Sequence, residues 1–378
     1  MKRLLCTLLA CALALGGLAG CGSIFDRRYS SVTTHQEQAA TEEDSSILRA
    51  ENYTDLVSCV QHFVSLGQST GTVQVYKYSG DIASDLEAAC NEVCTEDPLG
   101  AYALYGISYD YSRIISYYEC TFTFSYRRSA EDIAAIVSAY GNGTIRDLIQ
   151  EKLSAFSPSL AIRTSSFYSD SSNLYTLVQE AYYTAPGTAL GYPEVSISVY
   201  PDSGDTRIVE FSFAYGDSQA VLAQRAEAAA AAAAGLVGQE SAADNTVAWL
   251  LYSRLLGQTD YSPEGASDIY SALCLGTADS EGMALAYSLL CQQSGITCLL
   301  VQGTLNGQPH CWNLITMEDG VSWQVDVTRA DPEGNFLHND ETMAAAGYNW
   351  SQEDYPACLG ETPAQETDVT AETEIATP

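Results

Sequence analysis

The chain has 378 residues, with 48 acidic side chains against 16 basic ones and a formal net charge of −32. That length exceeds one ordinary domain and suits two or three. A surface this acidic repels polyanions, which excludes nucleic acid as a partner and leaves solubility as the simplest role of the charge.

The N-terminus predicts export and lipidation. Lys2 and Arg3 precede a largely apolar run over residues 4–15, too short to span a bilayer but typical of the core of a secretory signal. Leu-Ala-Gly-Cys at 18–21 matches the bacterial lipobox, in which the cysteine sulfur receives a diacylglyceryl group and the chain is cut before it. We therefore predict a signal peptide over 1–20, a membrane anchor through lipidated Cys21, and a location on the extracytoplasmic face of the cell membrane. The alternative is an ordinary signal peptide with an incidental cysteine.

Two polar segments flank the part of the chain that is expected to fold. Residues 21–46 lack hydrophobic periodicity and predict a flexible spacer that follows the lipidated cysteine. Residues 359–378 are rich in Thr, Glu, Ala and Pro and predict a disordered acidic tail. After the signal, no stretch reaches 18 consecutive apolar residues, so we expect no membrane-spanning helix.

A weak internal repeat of about 88 residues covers 47–157 and 158–237, and each copy predicts a β-α-β-β-α unit. In the first copy, apolar and polar side chains alternate from Tyr118 to Tyr126, which predicts a closing strand with one buried face. Ser129 then caps a predicted helix that continues to Tyr140. The other predicted elements are strands at 73–76, 160–163, 194–200 and 209–215, and helices at 86–93, 174–181 and 221–234.

The character of the chain changes at 247–358. Patterning predicts helices at 248–256 and 280–293 and strands at 296–304, 309–316 and 321–327.

The turn at 318–320 pairs the last two of these strands antiparallel, so that opposed positions sum to about 638. His310 and Asp326 then lie on one face as diagonal neighbours. A carboxylate beside an imidazole fixes its tautomer, which is the orienting half of a catalytic triad.

Ser280 begins the helix that is expected to pack on this sheet. A helix N-terminus offers free backbone N–H groups and the positive end of the helix dipole. A nucleophile at that position would be favoured as its anion, with an oxyanion site beside it.

Three segments of this region carry a family resemblance. Residues 273–282, Leu-Cys-Leu-Gly-Thr-Ala-Asp-Ser-Glu-Gly, resemble the nucleophile segment of the bacterial transglutaminase-like domains, which are papain-related in fold. Pro-His-Cys-Trp-Asn at 309–313 and Trp-Gln-Val-Asp-Val-Thr at 323–328 resemble the family's His and Asp segments. The likeness covers residues 247–358.

The resemblance implies an α+β chain in which the two β-α-β-β-α repeats precede a transglutaminase-like domain, with a helix packed on an antiparallel sheet. It also implies catalytic positions at Ser280, His310 and Asp326. The side chains expected to line the cleft are Glu281, Trp312 and Trp323.

The sequence departs from that family at two points. The family's nucleophile is a cysteine, and this chain has Ser280 instead. A thiol, with a pKa of about 8.5, can rest as a thiolate beside a protonated imidazole, whereas a hydroxyl is a far weaker acid and needs His310 as a general base. The family's later His-x-Trp element has become Tyr348-Asn349-Trp350. We therefore predict a degenerate triad.

Nine cysteines remain once those of the signal and the lipidated Cys21 are set aside, so at least one thiol stays unpaired, and the sequence does not assign the pairs. Cys311 follows His310 on a strand and is expected on the opposite face, while Cys274 lies on the loop before the helix. Neither is expected to replace the nucleophile. Cys90 and Cys94 lie one helical turn apart, and no other pair of cysteines or histidines has zinc-site spacing, so we expect no metal and no cofactor.

Three functions stay open at this point. The favoured hypothesis is a tethered lipoprotein that binds envelope or extracellular peptides or proteins without catalysis, because a serine stands at the nucleophile position. The second is an active acyl-transfer enzyme of the peptidase, amidase or transglutaminase type that uses Ser280, His310 and Asp326. The third is a structural surface lipoprotein without a ligand.

Overall fold

The computed structural model describes residues 47–165, 172–238, 242–330 and 335–360. The predicted signal peptide, lipidated Cys21, spacer and all of the predicted tail after residue 360 lie outside the described residues. Helices and antiparallel sheets together form an α+β fold, which confirms the predicted class. Among the helices that the structure describes, none combines the length and the apolar character needed to cross a membrane.

The first repeat comprises β1 (Ile47–Ala50), α1 (Tyr53–Ser65), β2 (Thr70–Tyr76), α2 (Ile82–Thr95), α3 (Pro98–Ala103), β3 (Leu104–Ile114), β4 (Tyr117–Tyr126) and α4 (Ala130–Ala134). Its four strands form one sheet in the order β1-β2-β4-β3. Strand β4 alternates as predicted, because Cys120, Phe122 and Phe124 are buried while the residues between them are exposed. The buried face packs against apolar residues of α1 and α2.

The second repeat comprises β5 (Val137–Ser138), α5 (Asn142–Ser154), β6 (Ser159–Thr164), α6 (Ser172–Tyr183), β7 (Glu194–Tyr200), β8 (Arg207–Ala214) and α7 (Gln219–Leu236). It begins before the predicted boundary at residue 158, because β5 pairs with β6 in the second sheet. Its sheet has the order β5-β6-β8-β7, which matches the first sheet position for position. The two copies therefore share a topology as well as a sequence pattern.

The helix predicted from Ser129 to Tyr140 is wrong beyond Ala134. Ser129 does cap α4, and its hydroxyl and the Asp132 carboxylate form a reciprocal capping box. The next residues leave the helix and form β5, which lies parallel to β6. Hydrogen bonding to that strand outweighs the local helical pattern. Helix α5 has no counterpart among the predicted elements.

The C-terminal region comprises α8 (Asp244–Leu256), β9 (Asp260–Tyr261), β10 (Thr277–Ala278), α9 (Ser280–Gln293), β11 (Thr297–Leu305), β12 (Gln308–Thr316), β13 (Ser322–Val325), α10 (Asp340–Ala345) and β14 (Tyr348–Asn349). Its main sheet has the order β13-β12-β11-β14, and α9 packs on β11 and β12. Asn313 lies opposite Val325 in the β12–β13 pair, which is the predicted register.

A shared core joins the second repeat to the C-terminal region. One cluster of buried apolar residues extends from Ala139 to Leu337 and includes residues of both. The first repeat has its own cluster, to which β8 contributes Ile208. The described residues from Leu48 onward form one compact unit.

The glycine at the start of α9 is required by close packing. A Cβ at Gly282 would lie 2.7 Å from the carbonyl oxygen of Ala266 and 2.9 Å from the backbone nitrogen of Asp268. Both are backbone atoms, so a side chain at this position would force the backbone of the loop before α9 to shift. This contact fixes where the helix begins.

We predict that Gly282→Ala lowers the free energy of unfolding by about 2 kcal/mol, because the added methyl overpacks the helix start. Gly143→Ala in α5 is the matched control, since a Cβ there meets nothing within 4 Å. That change should leave stability unchanged or raise it by up to about 1 kcal/mol. Urea unfolding midpoints measure both, and equal midpoints for the two variants would contradict the packing argument.

Candidate functional site

Ser280 occupies the first position of α9 and is 9% exposed. Its Oγ accepts a hydrogen bond of 3.2 Å from the backbone N–H of Cys311 on β12. The hydroxyl therefore lies beside the backbone that carries His310. Within the described residues, however, no hydrogen bond joins Ser280 Oγ to the imidazole itself.

The N-terminus of α9 is capped by a carboxylate. Asp279 Oδ1 accepts a hydrogen bond of 2.9 Å from the Gly282 N–H, and its other oxygen accepts one from the Ser267 hydroxyl. The expectation of free N–H groups at this terminus is therefore wrong for Gly282. A cap with a negative charge also offsets the positive end of the helix dipole beside Ser280.

His310 and Asp326 form the predicted pair. His310 Nε2 and Asp326 Oδ2 are 3.0 Å apart. Both residues are buried, with 6% of the surface of His310 and 8% of that of Asp326 exposed. The antiparallel register of β12 and β13 brings them onto one face, as the turn length indicated. Because Nε2 faces the carboxylate, the ring is oriented with its other nitrogen away from Asp326.

The buried carboxylate of Asp326 is fully provided with donors. Oδ1 accepts from the backbone N–H of Thr328 at 2.9 Å and from its hydroxyl at 2.8 Å. Oδ2 accepts from the Tyr348 hydroxyl as well as facing His310. Burial acts to raise the pKa of Asp326, but the His310 hydrogen bond and charge, the Tyr348 hydroxyl and the Thr328 N–H together hold that pKa below its ordinary value. The carboxylate is therefore ionised at neutral pH.

Tyr348 is a site residue that the sequence did not assign a role. In the sequence, Tyr348 stands where the transglutaminase-like domains have the histidine of their His-x-Trp element. That replacement was the only sequence feature that pointed to this position. Its hydroxyl donates to Asp326, and its ring meets those of His310 and Trp312 at centroid distances of 5.9 and 5.1 Å. Burial and the neighbouring Asp326 charge raise the pKa of Tyr348, so the phenol keeps its proton and remains a donor.

The prediction that Trp312 and Trp323 line a cleft is wrong. Trp312 has no exposed surface, and its indole N–H donates to Gln324 Oε1 at 2.8 Å. Trp323 is 8% exposed and belongs to the shared core. Indole rings of this size stabilise a sheet by burial, and both serve the core. The aromatic ring that does lie open beside the imidazole is Tyr261, 40% exposed and edge-on to His310 at 6.2 Å.

Glu281 is held by the second repeat. Its Oε1 accepts a hydrogen bond of 2.9 Å from the hydroxyl of Tyr183 on α6, and that hydroxyl in turn accepts from Gln302 Nε2 at 2.7 Å. Gln302 Oε1 accepts from Gln179 Nε2 at 2.6 Å. Burial is the main reason that the pKa of Glu281 is raised, although the Tyr183 hydroxyl works against it.

The two cysteines near the site do not substitute for the nucleophile. Cys311 lies on the opposite strand face from His310, and burial, with the charges of Glu281 and Asp279, raises its pKa to about 12. Such a thiol stays protonated at neutral pH. Cys274 is exposed and sits six residues before Ser280. In the described ranges, no group of His, Cys, Asp and Glu side chains is arranged to hold a metal ion.

Chemically, the site combines the oriented imidazole of His310 with the hydroxyl of Ser280, which is hydrogen-bonded to the backbone of the next residue, Cys311. The imidazole can accept or donate a proton through the nitrogen that does not face Asp326. The hydroxyl is directed toward the backbone of β12, and acidic residues flank Ser280 at Asp279 and Glu281.

We predict that Glu281→Gln raises the thermal unfolding midpoint at pH 7 and not at pH 4. Because the folded-state pKa of Glu281 is raised, the ionised carboxylate destabilises the fold once the pH exceeds its unfolded pKa of about 4.3. Glutamine keeps the carbonyl that accepts from Tyr183 and removes the buried charge. The exposed Glu264→Gln changes net charge equally and should shift neither midpoint. A lower midpoint for Glu281→Gln at pH 7 would show that the charge stabilises the fold.

Comparison with known proteins yields distant structural likenesses. No protein-family model matches the chain, and no curated protein matches it. A crystal structure of a TGase aligns at 11% identity and a TM-score of 0.26, over 55% of this chain and 60% of that one. A candidate protease from Parabacteroides distasonis aligns at 10% identity and a TM-score of 0.22, over 56% and 49%.

Menin, whose structure reveals the binding site for the Mixed Lineage Leukemia protein, aligns at 17% identity and a TM-score of 0.21, over 29% of this chain and 26% of that one. The chain spans less than two thirds of the length of each of these structures. Likenesses at such TM-scores carry no argument about activity, and the chemistry of the site has to be argued from its own residues.

Proposed function

We propose that this chain is a lipid-anchored extracytoplasmic protein whose C-terminal region is transglutaminase-like and binds envelope or extracellular peptide or protein segments without acyl transfer. The observation that carries the non-catalytic part is the setting of Ser280 Oγ. That oxygen accepts the Cys311 N–H, and the carboxylate of Asp279 caps the helix immediately before it.

A serine nucleophile needs a base to take its proton and a free lone pair to attack with. Here the hydroxyl oxygen accepts from the Cys311 N–H, and the hydroxyl has no hydrogen bond to His310 among the described residues. An alkoxide would also form next to Asp279, and like charges in close proximity disfavour the second ionisation. The missing contact with His310 and the nearby negative charge oppose acyl transfer and leave polar binding intact.

Recognition of a peptide is supported by the exposed aromatic ring beside His310. Tyr261 presents an exposed ring edge-on to His310, and Asp326 fixes the imidazole beneath it. An aromatic ring beside an oriented hydrogen-bonding group suits an extended peptide, which offers both apolar side chains and backbone polar atoms.

An active acyl-transfer enzyme that uses Ser280, His310 and Asp326 is the second candidate. The observation in its favour is the continuous chain of hydrogen bonds from Tyr348 through Asp326 to His310, because a carboxylate that orients an imidazole is one half of a catalytic triad. A structural lipoprotein without a ligand is the third candidate, and it is consistent with the near-complete burial of the three side chains.

We predict that a serine-directed fluorophosphonate leaves Ser280 unlabelled in the native chain, because the hydroxyl is not activated. Intact-mass analysis and peptide mapping measure the label. Labelling of Ser280 that disappears in Ser280→Ala would overturn the non-catalytic proposal in favour of the enzyme.

The proposed binding is tested separately. A library of unstructured decapeptides should bind the native chain, and His310→Ala or the bulky Ser280→Phe should weaken that binding at least several-fold.

The variant Ser280→Cys separates a preserved dyad from a structural one. If His310 can share a proton with this position, iodoacetamide should alkylate the new thiol faster at pH 7 than it alkylates the exposed Cys274 of the same chain. The excess rate should vanish in Ser280→Cys combined with His310→Ala. Equal rates at the two cysteines would mean that His310 and Asp326 serve packing only, and would favour the structural candidate.

We predict that a fatty-acid analogue supplied to cells that express the chain is incorporated at Cys21, because the lipobox directs acylation of that sulfur. Cys21→Ser should abolish incorporation, while Cys274→Ser should not. Chain found in the membrane fraction without label would contradict lipidation, whatever the outcome at Ser280.

A further inference from the structure

Two thiols that the candidate site does not use lie between α9 and its sheet. Cys291 is on the last turns of α9 and has no exposed surface, and Cys298 is near the start of β11. Both belong to or pack against the shared core. The helix that carries Ser280 and the sheet that carries His310 therefore meet at this pair.

The side chains around Cys298 fix its direction. Its sulfur is 3.5 Å from Ser288 Oγ on α9 and 3.4 Å from Asn313 Nδ2 on β12. Ser288 and Cys291 are three positions apart on one helix and so share a face. The sulfur of Cys298 thus points at the helix face on which Cys291 lies.

The pairing of β11 with β12 independently indicates that the Cys298 side chain points toward α9. Cys298 lies opposite Ile315, and Leu300 lies opposite Asn313. Asn313 donates to the carbonyl of Ala284 in α9 at 2.9 Å, so this row of side chains faces the helix. Burial and a hydrogen bond between the two thiols raise the pKa of Cys291 well above its ordinary value.

We infer that Cys291 and Cys298 are the site of a disulfide that fastens α9 to β11 when the chain is in an oxidising compartment. The oxidising compartment rests on the proposed extracytoplasmic location, whereas the pairing of the two thiols rests only on the packing of α9 against β11. The inference assigns a covalent modification to two of the nine free cysteines of the described residues.

The two thiols differ in how exposed they are to a reagent in solution, and this difference sets the order of the two exchange steps. Cys298 lines an open cleft of about 490 Å³ that is also bordered by Tyr183, Gln292 and Tyr355, whereas Cys291 is enclosed. With oxidised glutathione, the Cys298 thiolate attacks the reagent's disulfide and releases one glutathione thiol. The Cys291 thiolate then attacks the Cys298 sulfur and releases the second. Two protein thiols are oxidised, and one glutathione disulfide is reduced to two thiols.

The test uses the full chain, reduced and then equilibrated with oxidised glutathione. After alkylation under denaturing conditions and cleavage with chymotrypsin, we expect an unalkylated peptide over residues 291–299 that is lighter by two hydrogens. The thermal unfolding midpoint should rise by several degrees, and dithiothreitol should reverse the rise.

Two conservative variants show whether the order of attack is right. Cys291→Ser should leave Cys298 carrying one glutathionyl group, because no second thiol completes the exchange. Cys298→Ser should leave Cys291 unmodified, because the reagent does not reach it. Alkylation of both cysteines in the oxidised wild-type chain, or a disulfide that joins either of them to a different cysteine, would overturn the inference.

Discussion

The buried carboxylate of Asp326 is the group on which the C-terminal site depends. An ionised carboxylate with so little exposure is unfavourable unless donors surround it. Here Thr328 supplies two donors, Tyr348 supplies one, and His310 completes the set. Because these donors come from β12, β14 and the loop after β13, the ion also holds those three elements in register. The same buried carboxylate thus orients the imidazole and holds the sheet together.

The start of α9 shows why retention of such a pair need not mean catalysis. A cysteine at this place could lose its proton to the imidazole and rest as an ion pair, and the helix dipole would assist. Ser280 cannot do so at neutral pH, since a hydroxyl is a much weaker acid. The side chain is instead directed at the Cys311 N–H, while Asp279 accepts from the Gly282 N–H in the first turn of α9. The proposed loss of acyl transfer therefore rests on the hydroxyl at this position and on its hydrogen bond to β12.

Much of this arrangement was accessible from the sequence, because strand period and turn length determine register. The turn before Val321 placed Asp326 beside His310 correctly, and the helix boundary at Ser280 followed from its pattern. The sequence did not reveal which aromatic side chains are buried, since Trp312 in a strand reads equally well as cleft or core. It also did not reveal Tyr348, whose contact with Asp326 depends on an edge strand two residues long.

The short strand β5 and the Tyr183 contact illustrate a different limit, which is that long-range pairing cannot be read from local pattern. Val137 belongs to the second sheet only because β6 offers it a partner. Glu281 is held by Tyr183 only because α6 packs beside α9, in a core that the two regions share. A carboxyl group whose pKa is raised by burial reduces stability at neutral pH, and such costs concentrate where a site needs the group. Since the second repeat provides the hydroxyl that donates to Glu281, it contributes directly to the surroundings of the helix that carries Ser280.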